Sequence, residues 1–315
     1  MTNHERTCTV RDAISPGCWL TYDIEAPTAE RARQFLADPA AVEVVEPRYA
    51  ATVLLVSTAR PHHRAWERDE FGRLGEPVLE PAQGPVDVFM LRRASTMAFV
   101  PDAVVFPGGG MDPSDREFDG AWGGPDPETW AQAMDCTPDL AQAVLVTAAR
   151  ELFEESGVLL ASTADGAMAR DARGDHWAFE RAAIAERSLL FGEFLNREGL
   201  VLRSDLLHLR SHWVTPPSET RRYNTYFFLA RLPEGQHADG RTSEAVESSW
   251  ITPGEAFARF DDGYLKLVPP TISNLRSLAK ATSVDDACAL PFDGHVRPMP
   301  TETADGSIAM MCEVV

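Results

Sequence analysis

Three carboxylates crowd one stretch of this 315-residue chain, Arg150-Glu151-Leu152-Phe153-Glu154-Glu155-Ser156-Gly157-Val158. Glu154 and Glu155 follow Glu151 by three and four positions, spacings that put all three on one side of an α-helix. Like charges so placed repel, and the cluster costs stability unless a cation neutralises it. Hard oxygen donors grouped in this way suit Mg²⁺ or Mn²⁺. The plainer alternative is a solvated acidic helix face on which Arg150 pairs with Glu154.

The elements that must hold this helix can be read around it. Residues 139–156 form the clearest helix, with Pro138 before it, Asp139 as its cap and Gly157 where a C-terminal glycine belongs. Leu145, Ala148, Ala149 and Leu152 lie opposite the carboxylates and can face a core. Residues 50–58, 86–91 and 103–106 read as strands, the last stopped by Pro107-Gly108-Gly109-Gly110. Residues 213–214 and 223–231 read as later strands. Residues 250–260 run from strand into helix, and 269–280 form a helix with proline at its front. A short helix fits residues 28–37, and a small hairpin fits the tail around Asp305-Gly306.

Two stretches break the pattern. Residues 116–138 carry Asp, Pro, Gly and the tryptophans Trp122 and Trp130, and read as a surface insertion with a helical turn near 128–134. The two tryptophans are expected to pack that insertion. Residues 161–207 read as a second insertion, helical and charged. The resulting division is an N-terminal extension (1–45), a main domain (46–280) and a tail (281–315). Strands and helices interleave without a regular βαβ period, and neither GxGxxG nor GxxxxGK[ST] occurs, which weakens Rossmann and P-loop readings. An α/β or α+β sandwich fits better.

Composition excludes several function classes. With 29 basic and 48 acidic residues the net charge is −19, which argues against nucleic acid or an anionic membrane as partner. It leaves room for a phosphorylated small molecule bridged by cations. No apolar run nears the roughly 18 residues of a membrane helix, and the first residues lack a signal-peptide core, so a cytoplasmic protein is expected. Five cysteines (Cys8, Cys18, Cys136, Cys288, Cys312) without a CxxC read as free thiols. His208 and His212 lack the HExxH context of a metal site, and no serine stands in a GxSxG setting.

The glutamate string resembles the second half of the Nudix box, G-x5-E-x7-R-E-U-x-E-E-x-G-U, where U is apolar. Phe106-Pro107-Gly108-Gly109 resembles the approach to its first half. Five residues after Gly109 comes Asp115, where the family has Glu, and residues 116–149 then separate it from Arg150. The box is thus split by about 27 extra residues. A split box is similar to that of the peroxisomal coenzyme A diphosphatase branch of Nudix hydrolases and its bacterial relatives. Trp213-Val214-Thr215-Pro216, Thr225-Tyr226-Phe227-Phe228, Trp250-Ile251-Thr252-Pro253-Gly254-Glu255-Ala256 and Pro269-Pro270-Thr271 add to that likeness.

The resemblance implies a Nudix α/β/α sandwich with a mixed sheet, and hydrolysis of a diphosphate linkage in a nucleoside diphosphate derivative. It implies that Glu151, Glu154 and Glu155 bind Mg²⁺ or Mn²⁺, that Arg150 orients them, and that the glycines Gly108 and Gly109 approach the substrate. Glu244 is the candidate later carboxylate for metal or base, with Glu219 and Glu247 as alternatives. The upstream recognition pattern of coenzyme A diphosphatases is only partly kept. Arg93 matches it, whereas Ala98 stands for an Arg and Asp102 for a Gly. Coenzyme A, an acyl-coenzyme A or a dinucleotide heads the substrates. The rival reading is a catalytically silent module that binds a nucleotide or a protein partner.

Overall fold

The computed structural model describes residues 19–23, 26–59, 62–63, 79–80, 84–95, 100–170, 174–242, 245–303 and 306–314. The first half of the chain forms β1 (Trp19–Asp23), α1 (Ala26–Ala37), β2 (Arg48–Thr58), β3 (His62–His63), β4 (Leu79–Glu80), β5 (Val86–Arg93), β6 (Val104–Val105), β7 (Gly108–Gly110), β8 (Ala121–Gly123), α2 (Pro127–Met134) and α3 (Pro138–Ser156). The second half adds β9 (Ala161–Thr163), α4 (Asp175–Ala185), α5 (Phe191–Arg197), β10 (Leu200–Arg203), β11 (His208–Val214), β12 (Tyr223–Arg231), β13 (Ala245–Ile251), α6 (Pro253–Asp261), α7 (Pro269–Leu278), α8 (Val284–Cys288), β14 (His295–Glu302) and β15 (Ile308–Val314). This is a mixed α/β fold, the class that the sequence implies. Among the described residues no helix is long and apolar enough to cross a membrane. The chain divides into two compact units, one of Met1–Tyr49, Arg210–Tyr226 and Pro291–Val315, the other of Ala50–Leu209 and Phe227–Leu290.

In the larger unit β5 is the hub of the sheet. It pairs antiparallel with β2 (Val56↔Val88) and with β13 (Trp250↔Phe89), and β6 joins it at Leu91↔Val105. The glycine strand β7 lies along β2, with Thr52 opposite Gly108 and Ala51 opposite Gly109. Val53–Val56 and Val86–Leu91 are buried without interruption, as strands covered on both faces are.

Helix α3 is enclosed on almost every side, with fifteen of its nineteen residues buried. The face that carries Val146, Ala149 and Phe153 packs into a cluster with Phe191, Phe194, Leu195, Leu200 and Leu202. Phe153 stacks on Phe194 with ring centroids 5.2 Å apart. Thr137, not Asp139, is the N-cap: its hydroxyl accepts from the Leu140 amide. The helix therefore starts one residue earlier, with Pro138 in its first turn, where its missing N–H costs nothing.

The segment 161–207, read as helical and charged, also holds strands. β10 pairs antiparallel with β9 and parallel with β8, forming a small mixed sheet of its own. Strands of three or four residues are too short to show alternation, so only the helices α4 and α5 were legible. Trp130 on α2 packs edge-on against Phe228 at 6.1 Å, and Trp122 donates its ring N–H to the Pro125 carbonyl, the packing role expected of both.

In the smaller unit the tail hairpin is present. β14 and β15 pair from Val296↔Val314 to Glu302↔Ile308, closing over the expected turn, of which Asp305 lies outside the described residues. β15 also pairs with β1, and β14 runs parallel to β11 at His212↔His295. Ala29 and Ala32 of α1 pack on Ile308 and Met310. Segments from both ends of the sequence thus share one sheet, a long-range pairing that no local pattern announces.

His212 sits in that sheet, buried and stacked on Tyr226 with centroids 4.0 Å apart. Its Nε2 meets the Asn224 amide oxygen, and its Nδ1 lies 2.6 Å from Nδ1 of His295. With the Nε2 hydrogen donated to Asn224, His212 Nδ1 must accept the Nδ1–H of His295. A proton added to His212 at Nδ1 would require the His295 hydrogen to leave Nδ1 for Nε2, or two N–H groups would oppose each other. Burial first, then the charges of His295 and Arg297, push its pKa down to about 4 although the Asn224 bond opposes this. An unfolded histidine titrates near pH 6.5, so the stabilisation is complete above that and is lost as pH falls towards 4. Between pH 7 and 4.5 the wild-type chain is expected to lose about 2–3 kcal/mol more than His212→Gln in urea unfolding. Equal losses would show that the ring accepts its proton without cost.

Candidate active site

The site is built on α3 and the glycine strand β7. Arg150 is its centre, with only 2% of its side chain exposed. Its Nε donates to Asp115 Oδ1 and its Nη2 to Asp115 Oδ2, both at 2.8 Å. Its Nη1 donates to Glu151 Oε1 and Glu154 Oε1, again at 2.8 Å, and Nη2 also reaches the Gly110 carbonyl at 3.1 Å. One planar guanidinium thus joins three carboxylates, a task that its fork of donors suits. Asp115 is buried and takes two further donors, the Thr147 hydroxyl at 2.8 Å and the Asp112 amide at 2.9 Å. The two halves of the split box, with 34 residues between them in sequence, meet in this bidentate pair.

The glycines back directly onto the glutamates. Gly108 donates its amide to Glu155 Oε2 at 2.7 Å. A Cβ on Gly109 would stand 2.6 Å from the carboxyl carbon of Glu151, and one on Gly108 would stand 2.5 Å from the Ala51 carbonyl. Only glycine lets β7 lie this close to the helix. The end of α3 is fixed as well: Gly157 adopts φ +72°, and Arg181 donates from Nε to the Glu154 carbonyl at 2.7 Å while its Nη1 holds Asp239. Gln236 clamps the chain just beyond, accepting from the Leu159 amide and donating to the Leu159 and Ala169 carbonyls. Neither Arg181 nor Gln236 was visible in the sequence, since each is brought in from far along the chain and neither lies in a motif.

Glu151 and Glu155 are only 7% and 6% exposed, which removes the solvated-face reading. Burial pushes the Glu151 carboxyl up to about 7, and the Glu154 charge adds to this while Arg150 opposes it. Burial works against the Arg150 charge too, yet the hydrogen bonds to Asp115 and the surrounding carboxylates raise its pKa on balance. Glu151 and Glu154 each spend one oxygen on Arg150, and their Oε2 atoms make no hydrogen bond among the described residues. Two such oxygens one turn apart, one of them on the buried Glu151 carboxyl that resists ionising, fit a hard divalent cation by charge and donor type. Among the described residues no group of three or more His, Cys, Asp or Glu side chains stands in a metal-holding arrangement. Arg150 and the Gly108 amide hold the glutamates here instead.

The other sequence candidates are placed as follows. Glu244 lies outside the described residues, as does Ala98. Glu247, on β13, pairs with Arg92 at 3.2 Å, and Glu219, in the smaller unit, pairs with Arg31 at 2.5 Å. Arg93 ends β5, donates its amide to the Ala103 carbonyl at 2.9 Å, and keeps its buried Nε without a partner. Asp102, where the resembled pattern has glycine, adopts φ +61°, in the left-handed region that glycine favours.

A family model described as the NUDT19 Nudix domain matches residues 128–278, the span that holds the glutamate helix. The solved structure of a NUDIX hydrolase from Alicyclobacillus acidocaldarius superposes with a TM-score of 0.62 at 28% identity, over 80% of this chain and 100% of that one. The chain resembles the Nudix hydrolases in sequence and in fold. Among curated relatives, putative nudix hydrolase 7 of Caenorhabditis elegans is 29% identical over 229 residues, covering 71% of this chain and 67% of its own. Human acyl-coenzyme A diphosphatase NUDT19 is 28% identical over 304 residues, covering 84% and 78%. The likeness runs to the coenzyme A diphosphatase branch of that family. Nudix hydrolases generally use divalent metals.

Proposed function

We propose that this Nudix hydrolase cleaves the diphosphate linkage of a nucleoside diphosphate derivative with Mg²⁺ or Mn²⁺, coenzyme A and its acyl thioesters being the first candidates. The carrying observation is the bidentate Asp115–Arg150 pair, which rejoins the two halves of the box around Glu151 and Glu154. In the reaction water adds to one phosphorus, the bridging P–O bond breaks, and two phosphomonoesters leave. A bound cation would neutralise the diphosphate and acidify water. Glu151, Glu154 and Glu155 would hold it. Arg150 keeps Glu151 and Glu154 oriented, and the Gly108 amide orients Glu155. Arg93, with its unpartnered Nε, is the substrate-binding candidate from β5. Glu244 stands as the candidate for the later carboxylate. The names of the curated relatives support the coenzyme A class.

Phosphorus NMR of products tests this, with Mg²⁺ and a panel of coenzyme A, an acyl-coenzyme A, NADH, ADP-ribose and a nucleoside triphosphate. Release of 4′-phosphopantetheine or its acyl form, abolished by Glu154→Gln, is the expected result. Turnover of another panel member alone would move the substrate and keep the mechanism. Binding of the panel without any Glu154-dependent cleavage would favour the silent module instead.

A further inference from the structure

A second arginine stands at the mouth of the carboxylate cluster. Arg187 follows the end of α4 and has φ +63°, its amide donating to the Ile184 carbonyl at 2.9 Å. That is the left-handed position after a helix, where glycine is the common residue and a long side chain is strained. Its Nε is tied to Asp112 Oδ2 at 2.8 Å. Its Nη1 touches Glu154 Oε1 at a loose 3.5 Å and donates to the Ala185 carbonyl at 3.3 Å and the Ile184 carbonyl at 3.5 Å. Nη2 makes no hydrogen bond among the described residues. Some 44% of this side chain is exposed, against 2% for Arg150. Arg150 is sealed among its acceptors, whereas Arg187 is anchored through Nε and loosely through Nη1, which leaves Nη2 to offer. The charges leave work for it: Arg150 and Arg187 are the two cations in contact with Asp112, Asp115, Glu151 and Glu154 among the described residues.

We propose that Arg187 is a substrate-binding residue that takes a non-bridging oxygen of the diphosphate, exchanging its loose contact with Glu154 for a phosphate. A guanidinium edge suits two phosphate oxygens. The assignment rests on the hydrolase reading above. It also gives the segment between α3 and β11 a purpose, since that segment then supplies a cation that the upstream pattern lacks where Ala98 replaces an arginine.

The full chain tests it in four forms: wild type, Arg187→Gly, Arg187→Lys and Arg187→Gln. Mn²⁺ binding is read by electron paramagnetic resonance, and binding of α,β-methylene ADP by calorimetry in its presence. Arg187→Gly suits the left-handed backbone and is expected to melt no lower than wild type and to bind Mn²⁺ within threefold of it. It should bind the ADP analogue at least tenfold more weakly and raise KM for the panel substrate at least tenfold, with kcat within threefold. Arg187→Gln should follow it, and Arg187→Lys should regain part of the loss. Unchanged analogue affinity and KM in Arg187→Gly would overturn the assignment, as would a joint fall of melting temperature and Mn²⁺ affinity, which marks a tie that holds the carboxylates together. A wild-type chain that neither binds Mn²⁺ nor turns over any substrate would overturn the hydrolase reading, and this assignment with it.

Discussion

Glu151→Gln is expected to lower kcat/KM by roughly 10²- to 10⁴-fold, the scale on which loss of one group acting in the transition state is felt. The fold should not suffer. Glu151 is buried, and its carboxyl is pushed up to about 7, chiefly by that burial. The buried charge is therefore a cost that the metal-free protein bears. Glutamine has the same shape, carries no charge to desolvate, and can still accept from Arg150 Nη1. Its melting temperature without metal should equal or exceed that of wild type, while Mg²⁺, which stabilises whatever state binds it, should raise the wild-type melting temperature more. Steady-state kinetics and thermal melts with and without Mg²⁺ check both halves. Activity within threefold of wild type would remove Glu151 from the reaction. A large loss of stability would mean that its ionised form is a structural requirement.

The glutamate helix was legible because two independent signals coincide at it, the i, i+3, i+4 carboxylates and the Gly157 stop. The strands β2 and β5 were legible because a buried strand in such a sheet is an unbroken apolar run. Asp115 is the instructive case. It lies 35 positions before Arg150 and is shorter than the glutamate of the family pattern, yet the Asp112 amide and the Thr147 hydroxyl bring it flush against the guanidinium. The insertion between them forms β8 and α2 and returns the chain to α3, so sequence distance says nothing about spatial distance here. What stayed hidden is set by pairings between remote residues: Arg181 on the Glu154 carbonyl, Gln236 on Leu159, and β1 on β15. Each is a handful of polar contacts from one side chain or a short strand pairing, and neither leaves a period in the sequence.

Arg150→Met should be the most damaging single change to stability, costing about 3–5 kcal/mol in urea unfolding, because it strands buried charges that lose their counter-ion. Asp115 is 2% exposed and would keep only two neutral donors, Thr147 and the Asp112 amide. Glu151 and Glu154 would face each other with only the loose Arg187 contact to Glu154 left. Arg150→Lys should fall between, since a single ammonium cannot reproduce the fork that serves Asp115 at both oxygens and two glutamates besides. The mechanism of loss can be separated from lost packing by adding Asp115→Asn. Asparagine removes the stranded charge and keeps the shape and the neutral donors. The double variant Arg150→Met/Asp115→Asn should then be more stable than Arg150→Met alone, with a coupling of roughly 1–3 kcal/mol in the double-mutant cycle. If the two losses simply add, the pair contributes volume and not charge, and the rejoining of the split box through Asp115 and Arg150 would be a contact without an energetic role. Restored stability without restored activity would separate the two duties of Arg150, neutralising Asp115 and aiming Glu151 and Glu154.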